Sequence, residues 1–405
     1  MTALRAAAWV AAVATWGLAA WLLLPTAVPD DLDLPGVDVD AAFGAGVVDA
    51  AEDYERLPLL LWPLAQAVLL ATLWLYARRG ARFARESAGG PIATGMLLAM
   101  LGLAFAWLSQ LPFDLVSFWW ARRHDLFEAG YLEWAFGSYL ALGGTFLAVC
   151  VGVLVVMGLA RLLGERWWLP GAAAVTAIAA LLTFATPYLL VETEPFDPAL
   201  RASAERFEAT QGVDGIGYRV ESVADETSLA NAYAVGFGPS KRVVLWDTLL
   251  DGRFSDGAVE VVLAHEIAHH SSRHLLKGVA WFGLFALPAA YLLARVGRRR
   301  GGLGRPEAVP VALLALAVFQ LAVSPATTWL SRRLEAEADW KALVSTADPR
   351  GARELFVGFA ETSLGDPDPP GWSQWLLGTH PTLEERVAMA QVFARGGWAP
   401  YPPTP

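Results

Sequence analysis

Apolar residues along this chain fall into seven long runs separated by polar or charged stretches: 6–24, 57–77, 92–111, 138–160, 169–191, 278–294 and 309–330. A helix rising about 1.5 Å per residue needs about 20 residues to cross roughly 30 Å of hydrocarbon, so each run is a candidate membrane span, the sixth slightly short. The first run could instead be a cleaved signal peptide. A retained span is the better reading, because the later spans then alternate sensibly. The third run leads through Leu111-Pro112-Phe113-Asp114 into a polar, aromatic loop holding Arg122, Arg123, His124 and Asp125. Between the fifth and sixth runs, 192–277 has the charge and turn residues of a soluble segment. Within it, 217–223 alternates polar and apolar, as does the approach to 241–246, which predicts two strands separated by a loop at Asn231 and a Gly236-Phe237-Gly238-Pro239 turn. Residues 331–405 are again soluble and mostly helical, with a proline-rich break at 365–370 and a proline-rich tail. The expected fold is therefore mainly α: a polytopic membrane protein of about seven transmembrane helices, with a small α+β soluble domain split by the last two spans. That divides the chain at 1–191, 192–277, 278–330 and 331–405.

Composition supports a membrane protein. Of 405 residues, 55% are hydrophobic and only 17% charged, with a mean hydropathy of +0.41; soluble domains carry about 25% charge. The net charge of −10 leaves no basic footprint for nucleic acid. The single cysteine, Cys150, excludes an intramolecular disulfide and a cysteine-based metal site. Arginines crowd the loops after runs two, four and six, which places those loops and the N-terminus in the cytoplasm and the soluble segments opposite. The preference for Arg over Lys and the abundance of Ala point to a GC-rich, bacterial genome, and so to the plasma membrane.

The stretch that changes the picture lies at 259–270. No Gly or Pro occurs from Ala258 to Lys277, which predicts one continuous helix. His265 and His269 are four apart and project from one helix face, the arrangement that holds a zinc ion with two nitrogens. Glu266 follows the first of them and can reach a metal-bound water as general base. A catalytic zinc needs a third protein ligand. The candidate is Glu335, just beyond the last run. Asp339, one turn further on, could accept the N–H of a ligating histidine and fix its tautomer. Glu337 is the competing ligand on that helix, but it points off the face shared by Glu335 and Asp339. His270 lies off the ligand face and is left without a role. His274 is expected to be a polar residue at the helix end, and His124 a loop residue.

The chain resembles the CAAX prenyl protease 1 family of integral-membrane zinc metalloproteases. The resemblance rests on His265-Glu266-x-x-His269, on Ser331-Arg332-Arg333-x-Glu335-x-x-Ala338-Asp339, and on His380-Pro381 followed by Arg386. Asn231-Ala232-Tyr233 before 241–245, and 111–114 with Arg123-His124, resemble the family's cleft-lining loop and strand and its polar loop after the third span. The first 50 residues and the proline-rich tail carry none of the likeness. The resemblance implies zinc held by His265, His269 and Glu335, with Glu266 as general base. It implies His380 and Asn231 placing the substrate or stabilising the oxyanion, supported by Asp339 and Arg386. It also implies a water-filled chamber among the spans, for which Gln66, Ser109 and Gln110 are the few polar candidates.

The expected function is thus a zinc-dependent endopeptidase acting on a peptide or protein substrate, membrane-associated or lipidated, within a lipid bilayer. The nearest alternative is a heat-shock-type membrane quality-control protease, whose members usually have fewer spans. A catalytically inactive membrane scaffold is the alternative of a different class. Oligomeric state is not legible.

Overall fold

The structure, a computed structural model, describes residues 3–85, 87–190 and 193–396. The expected end of the fifth run at 191, the start of the soluble segment at 192 and the tail beyond 396 lie outside the described residues. Thirteen α-helices and four short strands are described: α1 Ala3–Leu23, α2 Val39–Phe43, α3 Ala45–Arg79, α4 Pro91–Arg123, α5 Tyr131–Leu163, α6 Trp168–Ala185, β1 Thr193–Pro195, α7 Pro198–Gln211, β2 Gly217–Glu221, β3 Ala232–Val235, β4 Arg242–Trp246, α8 Asp256–Ser271, α9 His274–Gly297, α10 Val309–Thr346, α11 Pro349–Ser363, α12 Gly371–Leu376 and α13 Leu383–Ala394.

Six helical stretches are long and apolar enough to cross a membrane: Ala45–Arg85, Pro91–Arg123, Tyr131–Arg166, Trp168–Tyr188, His274–Arg300 and Pro306–Thr346. The seventh expected span is α1, 21 residues long. Its apolar stretch Val10–Leu23 is shorter than the others. The Trp16 indole donates to the Leu284 carbonyl, and Ala20 packs with Trp281 and Leu330, so α1 lies against α9 and α10. The protein is a multi-pass membrane protein, mainly helical with one small sheet. Its apolar side chains on the outer helix faces, such as Leu60, Leu147 and Leu181, are exposed where hydrocarbon would cover them.

Several helices outrun their apolar cores. The expected loop after the third run is helical: α4 continues through Pro112 to Arg123, and only His124 and Asp125 turn away. Proline inside a helix costs one backbone hydrogen bond, which flanking packing can offset in a long span. At the other end, α10 carries the chain from the bilayer into the soluble region without a break. The arginine-rich connections gather at one end: Arg300 donates to the Ala77 carbonyl, Arg161 to the Gly304 carbonyl, and Arg298 pairs with Glu165.

At the opposite end the sheet has strand order β1-β2-β4-β3. β2 and β4 run parallel, with Tyr218 opposite Val243 and Val220 opposite Leu245. β3 pairs antiparallel with β4 and forms an edge. Two of these strands, β1 and β3, are too short to leave a periodicity in the sequence. The centre of the sheet and α8 share one core with Phe207, Leu249 and Leu355, in which Val243, Leu245, Leu263 and Ile267 are fully buried. The segment between α1 and α3 closes this core. Val28, Leu32, Leu34 and Val37 pack on it, Phe43 and Val48 are buried in it, and the Val37 amide donates to Glu384.

Candidate active site

Helix α8 begins at Ser255, whose hydroxyl accepts the Ala258 amide as an N-cap. It is buried on nearly every face, which fixes the direction of its polar side chains. His265 and His269 bring their Nε2 atoms within 3.1 Å of each other. From α10, the Glu335 carboxylate comes within 3.2 Å of His265 Nε2 and 3.7 Å of His269 Nε2. His380, in the turn before α13, brings its Nε2 to 3.3 Å from Glu335 Oε2. That oxygen is buried, yet among the described residues it accepts no hydrogen bond.

An orphaned carboxylate oxygen and two imidazole nitrogens facing one point are the donor set of a metal ion, and a cation there would satisfy all three. Oxygen and nitrogen atoms of His265, His269 and Glu266 also fall within 4.8 Å of one another. The Glu335 oxygens approach both imidazole nitrogens, whereas Glu266 follows the first histidine directly in sequence.

Behind these groups, His265 Nδ1 donates to Asp339 Oδ1 at 2.8 Å. Arg386 grips the same carboxylate with two hydrogen bonds, Nε to Oδ2 at 2.8 Å and Nη2 to Oδ1 at 2.6 Å. Arg386 also lies over the Phe356 ring. α13 is set for this by a capping box in which Thr382 and Glu385 bond reciprocally, so Arg386 falls in its first turn. Burial works against a charged imidazole at His265, but Asp339 and Glu335 outweigh it and raise that group to about 10. Such an acidic surround also suits a metal ion. Burial pushes the Glu266 carboxyl above the usual range, despite the two histidines beside it. His380, whose side chain is 55% exposed, is lowered from its ordinary value by partial desolvation.

A small cavity of about 70 Å³ opens beside Glu266, lined by Asn231, Ala232, His265, Asp339, His380 and Arg386 among others. Its size suits a few water molecules. Asn231 lies in the loop immediately before β3, its Oδ1 accepting the Ala232 amide. Of the candidate site residues expected from sequence, Asn231, His265, Glu266, Asp339, His380 and Arg386 line this cavity, and His269 and Glu335 stand against His265. Three further polar residues are buried near these side chains: His270, left without a role above, His274, expected as a polar residue at the helix end, and Glu337, weighed as the competing ligand. The expected helix through Lys277 is in fact interrupted: α8 ends at Ser271, and Arg273 adopts a left-handed conformation with φ 57°. His270 Nε2 donates to the Arg242 carbonyl on β4, tying the helix to the sheet, and burial holds it neutral by lowering it to about 4. His274 and Glu337 pair with each other behind His269.

Comparison with known proteins places this geometry. A match to peptidase family M48 spans residues 197–393, which includes α8, the Glu335 segment and the His380 element. The uncharacterized metalloprotease YhfN of Bacillus subtilis is 26% identical over 303 residues, 70% of each chain. A protease HtpX homologue of Burkholderia thailandensis is 31% identical over 193 residues, 42% of this chain and 67% of its own length. The chain belongs to peptidase family M48. Another relative, a CAAX prenyl protease 1 homologue of Oryza sativa, is 29% identical over 40% of each chain. The crystal structure of S. mikatae Ste24p superposes with a TM-score of 0.75 over 93% of this chain and 96% of that one, at 17% identity, so the M48 chain shares its fold. The protein is a metalloendopeptidase built on a multi-pass membrane scaffold.

Proposed function

We propose that this M48 protein hydrolyses peptide bonds with a zinc ion held by His265, His269 and Glu335. The observation that carries the reading is the convergence of two Nε2 atoms and an unpartnered carboxylate oxygen. Two imidazole nitrogens bound to a tetrahedral zinc at 2.0–2.1 Å lie about 3.3 Å apart, close to the 3.1 Å between His265 and His269. Zinc would supply Lewis acidity that activates water for attack at neutral pH.

The chain's own groups do the rest. Glu266, beside the cavity and raised by burial, takes the proton of the attacking water and returns it to the leaving amine. Asn231 and His380 donate to the carbonyl oxygen as it gains charge. Asp339 accepts from His265 Nδ1 and holds that ring in one tautomer, and Arg386 holds Asp339. The edge strand β3 offers unpaired backbone groups next to the cavity, to which an extended substrate peptide can add. The substrate is a peptide or protein presented at the membrane, lipidated substrates included. A heat-shock-type quality-control protease is the second reading, and the HtpX relatives favour it; they match 42% of this chain, whereas the Ste24p likeness runs through its spans as well.

Glu266→Gln tests the assignment. It keeps stoichiometric zinc and loses proteolysis by about 10²–10⁴-fold, the range for a general base. Equal cleavage by wild type and variant would remove Glu266 from the mechanism.

A further inference from the structure

His265 has a buried carboxylate behind it. His269 does not, and what stands there instead is another imidazole. His269 Nδ1 lies 3.0 Å from His274 Nδ1, and His274 Nε2 lies 3.0 Å from Glu337 Oε2. The Glu337 carboxylate is held in turn by the Ala27 amide at 3.1 Å and by Lys277 Nζ at 3.4 Å. Resting on the zinc-peptidase reading, we propose that His274 and Glu337 are positioning residues that fix the tautomer and orientation of His269, in a relay anchored by the segment that follows the first helix.

The proton assignments follow from the directions of the bonds. His269 turns Nε2 to the site, 3.1 Å from His265 Nε2, so its ring proton sits on Nδ1. His274 Nδ1 accepts that proton's hydrogen bond. His274 therefore carries its own proton on Nε2 and donates it to Glu337. Each member has one role available. Both His274 and Glu337 are 5% exposed, so water cannot substitute for a lost partner.

The backbone is arranged to make the contact. On an unbroken helix, residues five apart point roughly 140° away from each other. The break at Ser272–Arg273 cancels that divergence and returns His274 to His269, with ring centroids 5.0 Å apart and planes at 76°. Arg273 is one of only four non-glycine residues with positive φ among the described residues. A strained conformation retained next to a ligand set is where a functional constraint is expected. The anchor comes from outside the M48 match: besides the Ala27 amide, Lys277 bonds the Pro25 carbonyl and Arg333 the Leu24 carbonyl.

The test is zinc affinity by chelator competition on the full-length, detergent-solubilised protein, with the visible spectrum of the cobalt(II)-loaded form as a geometric readout. His274→Phe fills the space without accepting or donating, and it weakens zinc binding on the order of 10–100-fold, the range for losing such a partner. His274→Asn restores an acceptor for His269 Nδ1 and recovers most of that loss. Glu337→Leu, which leaves His274 in place, weakens binding in the same direction, while Glu337→Gln keeps an acceptor and stays within a few-fold of wild type. The cobalt spectrum shifts in the two apolar variants and not in the two polar ones. His269→Ala is the control for the underlying reading. If it binds zinc like wild type, the metal-site assignment is wrong. If it loses zinc while His274→Phe and Glu337→Leu bind like wild type, the site stands and the relay is refuted.

Discussion

The pair most sensitive to perturbation is Asp339 with Arg386. The two are 3% and 8% exposed and share two short hydrogen bonds. Arg386→Met keeps most of the side-chain volume and the contact with Phe356, but leaves the Asp339 carboxylate buried with only His265 as partner. Removing one member of a buried ion pair costs about 3–5 kcal/mol, because the remaining charge keeps its desolvation penalty. For a cooperative unit of 150–250 residues that corresponds to a melting temperature lowered by roughly 10 °C. The assay is thermal unfolding in detergent at a fixed scan rate, with and without saturating zinc. Replacing both members, Asp339→Leu with Arg386→Met, removes the unpaired charge and returns most of the stability. Peptidase activity does not return with it, since His265 Nδ1 has lost its acceptor. A melting temperature within about 2 °C of wild type for Arg386→Met, or a double variant whose loss is the sum of the two singles, would refute the reasoning.

Further outcomes follow from the same geometry. His380→Ala and Asn231→Ala each keep zinc and lower kcat by about 10²–10³-fold, the range for one oxyanion donor, as read from steady-state rates beside metal content. His270 is buried neutral, with an unfolded-state value of 6.5 lowered to about 4 in the fold. Its contribution to stability is therefore complete above pH 6.5 and is lost as pH falls toward 4. His270→Gln keeps a donor for the Arg242 carbonyl, so melting temperatures followed across that window fall less steeply than in wild type. The acid limb of the pH–rate profile lies above the usual glutamate range, because burial raises Glu266 and the base works only when deprotonated.

Much of the site was legible because its chemistry is local in sequence. His265 and His269 share a helix face by spacing alone, as do Glu335 and Asp339. The spans were legible because a 20-residue apolar run has few alternatives. Three features were not. Helix α4 runs through Pro112 because packing, rather than propensity, decides helices in a bundle. The His274–Glu337 pair depends on a left-handed Arg273 that no sequence signal marks, Arg being unremarkable in a helix. The segment 28–48 carries the acidic run Asp30-Asp31-Leu32-Asp33, yet its scattered apolar residues cover the core of the soluble domain. Such contacts join residues far apart in the chain, as the Val37 amide and Glu384 do, and leave no periodicity.

Everything in the proposed mechanism depends on where the metal sits. Anomalous diffraction from zinc-loaded crystals, collected on both sides of the zinc edge, locates it directly. One peak is expected about 2.0–2.2 Å from His265 Nε2, His269 Nε2 and a Glu335 oxygen, with Glu266 outside that shell. A peak bound by Glu266 with Glu335 free, or no peak between these side chains in zinc-loaded protein, would contradict it.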